Sequence, residues 1–350
     1  MHDAYSKIGV DSFQEEKSMK RLLGWINQTF AFRESIGKNL LPIGFFANVI
    51  DLGNQLGLAM SMDGVGTKIL VAEQAKRYDT LGIDCVAMNV NDLLCIGAEP
   101  ISFMDYIAVS KIDPLLIEDL AKGFYEGARQ AHVNIPGGEL AQVKELLHPG
   151  ENSIDLVGTA IGLVPTDKII TGKSVKPGDI ILGLPSQGIH SNGLTLARKL
   201  LLDNPNFNQQ EILEELLKPT AIYVDPVMTL LHRIDIHGMA NITGEGLLNL
   251  LRLDATVLYR IQQLPPLPAI FKTIQQTGNI PDSEMYKIYN MGIGYIVVVD
   301  KKDAQTAMDL WTQHHIQAYE LGEVMPSETN RIEISPIKIY SEGEGFSSLP

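Results

Sequence analysis

Asp63-Gly64-Val65-Gly66-Thr67-Lys68 sets two glycines one residue apart between an acid and a lysine. Glycines so spaced let backbone N–H groups approach an anion, and a concavity of such groups binds phosphate. Thr67 and Lys68 add a hydroxyl and a point charge. Asp63 beside the same nest would repel phosphate unless a cation stood between them. A hard, oxygen-seeking ion such as Mg²⁺ meets that need. The alternative is a plain glycine turn between strand and helix. The stretch is neither a Walker A loop nor a Rossmann fingerprint, because GxxxxGK[ST] and GxGxxG are both absent.

Asp63, Asp84, Asp92, Asp105 and Glu139 make a second set. Mg²⁺ on ATP needs only one or two carboxylates besides phosphate oxygens. Taken singly, each acid also reads as surface solvation. The third feature is the glycine-bracketed loop Ser186-Gln187-Gly188-Ile189-His190-Ser191-Asn192-Gly193, which runs into a predicted helix. A helix start presents free N–H donors to anions. His190 could donate to a phosphate or amide oxygen, or serve as acid or base near neutral pH. Helix capping by Ser191 or Asn192, with an incidental histidine, is the alternative. Gly244-Glu245-Gly246 repeats the logic more weakly. Zinc is disfavoured: His314 and His315 are adjacent, and Cys85 and Cys95 form no CxxC. No GxSxG elbow exists.

The elements that must position these groups alternate along the chain. Leu56–Met62 reads as a strand ahead of the hexapeptide and Ile69–Arg77 as a helix after it. In the predicted helix Thr80–Ile96, Ile83, Val86, Ala87, Val90, Leu93 and Leu94 fall on one arc at about 100° per residue. Asp84, Met88, Asn91, Asp92 and Cys95 fall on the arc turned away from the core, where plain solvation competes with a site. Asp113-Pro114 starts a helix to about Ala131, with Asp as N-cap and Pro at the first helical position. Pro136–Glu139 reads as a turn and Asp155–Val164 as a buried strand. Val164–Gly178 is the candidate linker. Beyond it the alternation restarts, and Pro219–Ile234 reads as one helix that Pro226 kinks or interrupts. The class is α/β or mixed α+β with two domains.

Composition agrees. The 350 residues suggest two domains, and 45% apolar with 20% charged residues suits a packed core. The net charge of −14 argues against nonspecific nucleic-acid binding. No stretch approaches the roughly 20 apolar residues of a membrane span. Two cysteines make no disulfide framework, and no signal peptide is read, so a reducing cytoplasm is expected.

Taken together, the motifs resemble the phosphoribosylformylglycinamidine cyclo-ligase family, the aminoimidazole ribonucleotide synthetases. The carrying residues are Tyr5–Asp11 (YSKIGVD), Ser61–Lys68 (SMDGVGTK), Gly82–Pro100 (GIDCVAMNVNDLLCIGAEP), Phe103–Tyr106 (FMDY) and Gly137–Glu139 (GGE). Gly188–Gly193 (GIHSNG), Pro219–Val224 (PTAIYV), Asn241–Gly246 (NITGEG) and Tyr286–Gly294 (YKIYNMGIG) complete the order. The resemblance implies a two-domain synthetase-like fold, with a sheet-based ATP/metal-binding and dimerising domain over 1–170 and an α/β domain over 171–350. It implies ATP and Mg²⁺ as cofactors, formylglycinamidine ribonucleotide as substrate, and a homodimer. By the same resemblance Asp63, Asp92 and Glu139 are the metal ligands. Asp63, Gly64, Val65, Gly66, Thr67 and Lys68 take ATP phosphate, and His190, Ser191 and Asn192 take substrate. Lys68, His190 and Asp92 are the catalytic candidates. The chain departs from the family pattern at Leu140–Lys144, at Gly44-Phe45-Phe46-Ala47, where several glycines are usual, and at Glu245. A superfamily synthetase with another substrate, or an inactive nucleotide-binding homodimer, therefore stays open.

Overall fold

Strands of alternating small and branched residues meet helices of 3.6 period in this chain, and each sheet hides one face under helices. In a computed structural model, which describes residues 12–147, 153–343 and 345–349, these elements form two sheet-containing domains. The Tyr5–Asp11 motif lies outside the described residues.

In the first domain α1 (Ser12–Ile26) precedes β1 (Asn48–Asp51), β2 (Leu56–Gly64), α2 (Lys68–Ala75), α3 (Asp79–Cys95), β3 (Glu99–Val109), α4 (Pro114–Ala131), β4 (Gly138–Gln142) and β5 (Ile154–Pro165). The sheet order is β1-β2-β5-β3-β4, antiparallel except for the parallel β3–β4 edge. Asp113 caps α4 through the Leu115 N–H at 2.9 Å, with Pro114 behind it, as expected. Glu139 belongs to β4 rather than to a turn.

The second domain contributes β6 (Ile180–Pro185), α5 (Leu194–Leu201), α6 (Gln209–Leu216), α7 (Val224–Leu231), β7 (Ile236–Asn241), β8 (Val257–Ile261), α8 (Ala269–Gly278), α9 (Asp282–Ile288), β9 (Ile293–Val299), α10 (Lys301–Gln313), β10 (Tyr319–Pro326), β11 (Arg331–Ile334), β12 (Ile339–Ser341) and β13 (Ser347–Ser348). Its order is β13-β12-β11-β8-β10-β6-β9-β7. The expected helix over Pro219–Ile234 shrinks to α7. Residues 218–223 carry no regular structure, and Pro226 is the third residue of α7, where its missing N–H costs nothing and no kink results.

Helix α3 is the central element. Of its 17 residues 14 are buried, so plain solvation does not describe the polar arc. One side lies on β2 and β5, another on α4, and the polar arc meets β7 and α7 of the second domain. Close approach of α3 and α4 depends on glycine. A Cβ on Gly82 would sit 2.3 Å from the Phe124 nitrogen, and one on Gly123 2.1 Å from the Asp79 carbonyl. Among the described residues, the opposite face of the first sheet lies open around Met62, Met104 and Tyr106, which are 72%, 40% and 40% exposed. Among the described residues no helix is long and apolar enough to cross a membrane.

Candidate active site

Register places the first-domain carboxylates. Asp63 of β2 stands opposite Gly158 of β5, which stands opposite Asp105 of β3, which stands opposite Gly138 of β4. Directly paired residues share a sheet face, so Asp63 and Asp105 point toward α3. Asp63 Oδ1 accepts the Gly64 N–H at 2.7 Å. Desolvation raises its carboxyl, and that hydrogen bond opposes the rise. Asp92, on α3, accepts from Asn241 Nδ2 at 2.9 Å across the domain boundary. Burial lifts its carboxyl to about 7. The Asn241 and Ser61 hydrogen bonds and the charge of Arg252 pull it down, and Asp63 adds to the rise. Two mutually repelling carboxylates thus face one space, an arrangement that a cation relieves.

Glu139 does not join them within one chain. It stands opposite Tyr106, one place off the Asp105–Gly138 row, and so lies on the exposed outer face. Its strand is three removed from that of Asp63, about 14 Å at 4.8 Å per strand. The expected metal trio is therefore two acids plus one on the far face. Among the described residues the one acid–histidine group with ligand atoms within 4.8 Å of one another is Asp179, His237 and Asp300. The Lys176 ammonium already occupies it, 2.9 Å from Asp300 and 3.3 Å from Asp179.

Two expected catalytic groups are enclosed. The Lys68 ammonium, fully buried, contacts Asp84 at 2.8 Å and donates to the Lys218 carbonyl at 2.6 Å. Burial lowers its affinity for a proton, and Asp84 opposes that. It is a strut between domains, not a free charge for phosphate. His190, also buried, accepts at Nε2 from the Gln187 N–H at 3.1 Å and the Ala221 N–H at 3.4 Å. The ring is thus neutral with its proton on Nδ1. Burial and the nearby Lys68 charge hold it down to about 3. His190 organises its loop instead of exchanging protons near neutral pH. It takes φ +59°, and Gly294 makes room for it and for Tyr223: a Cβ there would lie 2.9 Å from His190 Cε1 and 1.8 Å from the Tyr223 hydroxyl.

The phosphate-type features do converge. Thr67 is the N-cap of α2 and Gly193 that of α5, and neither helix has a side-chain cap, so Ser191 and Asn192 are not spent on capping. The Thr67 and Thr195 hydroxyls meet at 3.0 Å. Two helix starts, one from each domain, therefore bring positive dipole ends to one place, although the Ile69 and Leu70 N–H groups of α2 already donate to the Gly66 and Thr67 carbonyls at 3.3 and 3.2 Å. Asn192 borders the Gly244 turn, where a Cβ would lie 3.4 Å from its Oδ1. A cleft of about 760 Å³, lined by His132, Gln187, Tyr223, Asp225 and His314, opens elsewhere and holds none of the expected site residues.

The sequence alone gives no role to Arg252 or Thr195, and offers Asn241 and Thr220 only as members of the NITGEG and PTAIYV motifs. Arg252 reaches from the second domain to the Gly44 and Phe45 carbonyls at 3.2 and 2.8 Å and lies 4.1 Å above the Phe46 ring. The unusual Gly44–Ala47 stretch was the one signal for it.

Comparison with known proteins then bears on the whole chain. Residues 46–164 match the N-terminal domain, and 176–335 the C-terminal domain, of the family described as AIR synthase related protein. A phosphoribosylformylglycinamidine cyclo-ligase of Thermococcus kodakarensis is 44% identical over 340 residues, 96% of this chain and 99% of that one. One from Methanocaldococcus jannaschii is 45% identical over 348 residues, 97% and 95% of the two chains. Among solved structures, AaThiL complexed with AMPPCP and TMP has a TM-score of 0.63 at 14% identity, covering 93% of this chain and 94% of that one. Hydrogenase maturation protein HypE in complex with ATP has a TM-score of 0.60 at 19% identity, covering 84% and 86%. These two likenesses concern the fold.

Proposed function

The chain belongs to the phosphoribosylformylglycinamidine cyclo-ligase family, and from that premise we propose that it closes formylglycinamidine ribonucleotide to aminoimidazole ribonucleotide with ATP, in purine biosynthesis. The protein is an ATP-dependent ligase. The observation that carries the reading is the meeting of two helix starts without side-chain caps, one from each domain and one of them four residues past Asp63.

Gly64–Thr67 and the start of α5 take the triphosphate. Asp63 and Asp92 would hold Mg²⁺, which when bound screens triphosphate charge in a protein of net charge −14. Ser191 and Asn192 face the substrate. An amide oxygen is a poor leaving group, so it attacks the γ-phosphorus and ADP departs. The amidine nitrogen then attacks the imidate carbon, loses a proton, and expels phosphate to close the ring. Positioning and charge neutralisation suffice for both steps. We place nucleotide handling in residues 1–170 and covering of the site in 171–350, in a cytoplasmic homodimer.

Incubation with Mg-ATP and formylglycinamidine ribonucleotide should give one ADP per aminoimidazole product. ADP release that requires another acceptor, or ATP binding without turnover, would overturn the assignment. The bare outer face of the first sheet supports pairing of two copies through Met62, Met104 and Tyr106. The native particle should have twice the 38.5 kDa chain mass in sedimentation, and Met62→Lys with Met104→Lys should reduce it to one chain. A monomeric native protein would refute the pairing.

A further inference from the structure

Residues 218–223 run between α3 and the 187–191 loop, and α3 reads them as a neighbouring strand would. Asn91 donates to the Ala221 carbonyl at 2.8 Å and accepts the Tyr223 N–H at 2.9 Å. Two helical turns earlier, Asp84 Oδ1 accepts both the Thr220 N–H and the Thr220 hydroxyl at 2.7 Å. Asp84, Asn91 and Lys68 are fully buried, and Thr220 nearly so.

This seam fixes the direction of a hydrogen-bond relay. Asp84, ionised by its contact with Lys68, can only accept. Thr220 has one hydroxyl proton, and the 2.7 Å contact commits it to Asp84. Thr220 Oγ1 also lies 3.1 Å from Ser191 Oγ. With its own proton engaged, Thr220 accepts there and Ser191 donates. Ser191, half-buried, then has only lone pairs left for a ligand.

We propose that the Asp84–Thr220 relay fixes Ser191 as a hydrogen-bond acceptor, so that Ser191 selects an N–H or O–H group of the substrate and not a phosphate oxygen. An amidine or formamide N–H is the matching chemistry. Naming that group rests on the cyclo-ligase reading; the polarity of Ser191 does not. Asp84 and Thr220 are positioning residues, since they act through Ser191.

The test is Thr220→Val, nearly isosteric, with Thr220→Ser as the conservative variant. Without an acceptor on Val, Ser191 is free to turn its proton outward. The KM for formylglycinamidine ribonucleotide should rise about tenfold, the worth of one hydrogen bond, while the KM for ATP stays within about twofold. Inhibition by inorganic phosphate should strengthen several-fold, and Thr220→Ser should restore both values. Loosened packing would weaken substrate, ATP and phosphate together. That pattern, unchanged phosphate inhibition, or a Ser variant that behaves like Val would each overturn the proposal. If the native protein turns over no such substrate, the cyclo-ligase reading fails separately. Acetamidine and inorganic phosphate, titrated by calorimetry, then decide: Thr220→Val must weaken the first and tighten the second, and any other result refutes the relay.

Discussion

Asp92→Asn should make the protein more stable and nearly inactive. Its carboxyl is lifted to about 7 by burial, with Asp63 adding repulsion. The folded state therefore holds a proton up to about pH 7, whereas an unfolded aspartate releases it near 3.9. More protons bound when folded means that stability falls as pH rises between those values, and it stays lower above them. Full enclosure would make the penalty about 4 kcal/mol. Asp92 keeps some contact with water, so about 1–2 kcal/mol is the reasonable figure. Asparagine keeps an oxygen for Asn241 and removes the charge. Its melting temperature should exceed the native one by a few degrees at pH 8 and match it near pH 4. Equal melting at both pH values would refute the desolvation argument.

The same substitution removes half of the cation site. Turnover should fall roughly 10²–10³-fold, the range for loss of one electrostatic stabiliser. In the native protein, kcat/KM for Mg-ATP should decline about tenfold per pH unit below about 7, because a proton on Asp92 competes with the cation. The groups facing Asp92 are Asn241, Ser61, Asp63 and Arg252, and no side chain of these four types titrates between pH 6 and 8 when free. Native rates in Asp92→Asn would remove Asp92 from the site.

Which parts of this were legible beforehand follows from what local sequence encodes. Asp113-Pro114 announced a helix because capping is a local matter. The Asp84–Asp92 arc separates correctly from its apolar counterpart, yet the sequence alone leaves solvation and a site undecided there. Periodicity tells which residues share a face, not what covers that face, and here a second domain does. Lys68 and His190 meet the same limit, since both prove to be enclosed. A lysine after a glycine turn and a histidine in a polar loop are open groups only if nothing packs over them. Residues 150 positions apart, such as Lys68 and Lys218, do so here. Glu139 was placed in a turn, and strand register put it on the far face. Helices α6, α8 and α9 were missed; they are short and partly polar, and tertiary contacts stabilise them more than propensity.

Removing one partner of the Lys68–Asp84 pair should cost more stability than any other change considered. Asp84→Ala leaves a fully buried ammonium with the Lys218 carbonyl as its remaining contact, and it strips the Thr220 N–H and hydroxyl of their acceptor. An orphaned buried charge costs about 3–5 kcal/mol, and the melting temperature should drop on the order of 10 °C. Attraction between the pair is a small part of that loss, because desolvation of both ions offsets most of it. Lys68→Met combined with Asp84→Asn tests the distinction. It removes both charges and leaves an oxygen for Thr220. The double variant should melt well above Asp84→Ala and within a few degrees of the native protein. If instead it melts as low as Asp84→Ala, the ion pair itself holds the domains together. If Asp84→Ala melts like the native protein, the seam between α3 and residues 218–223 admits water and the strut assigned to Lys68 does not exist.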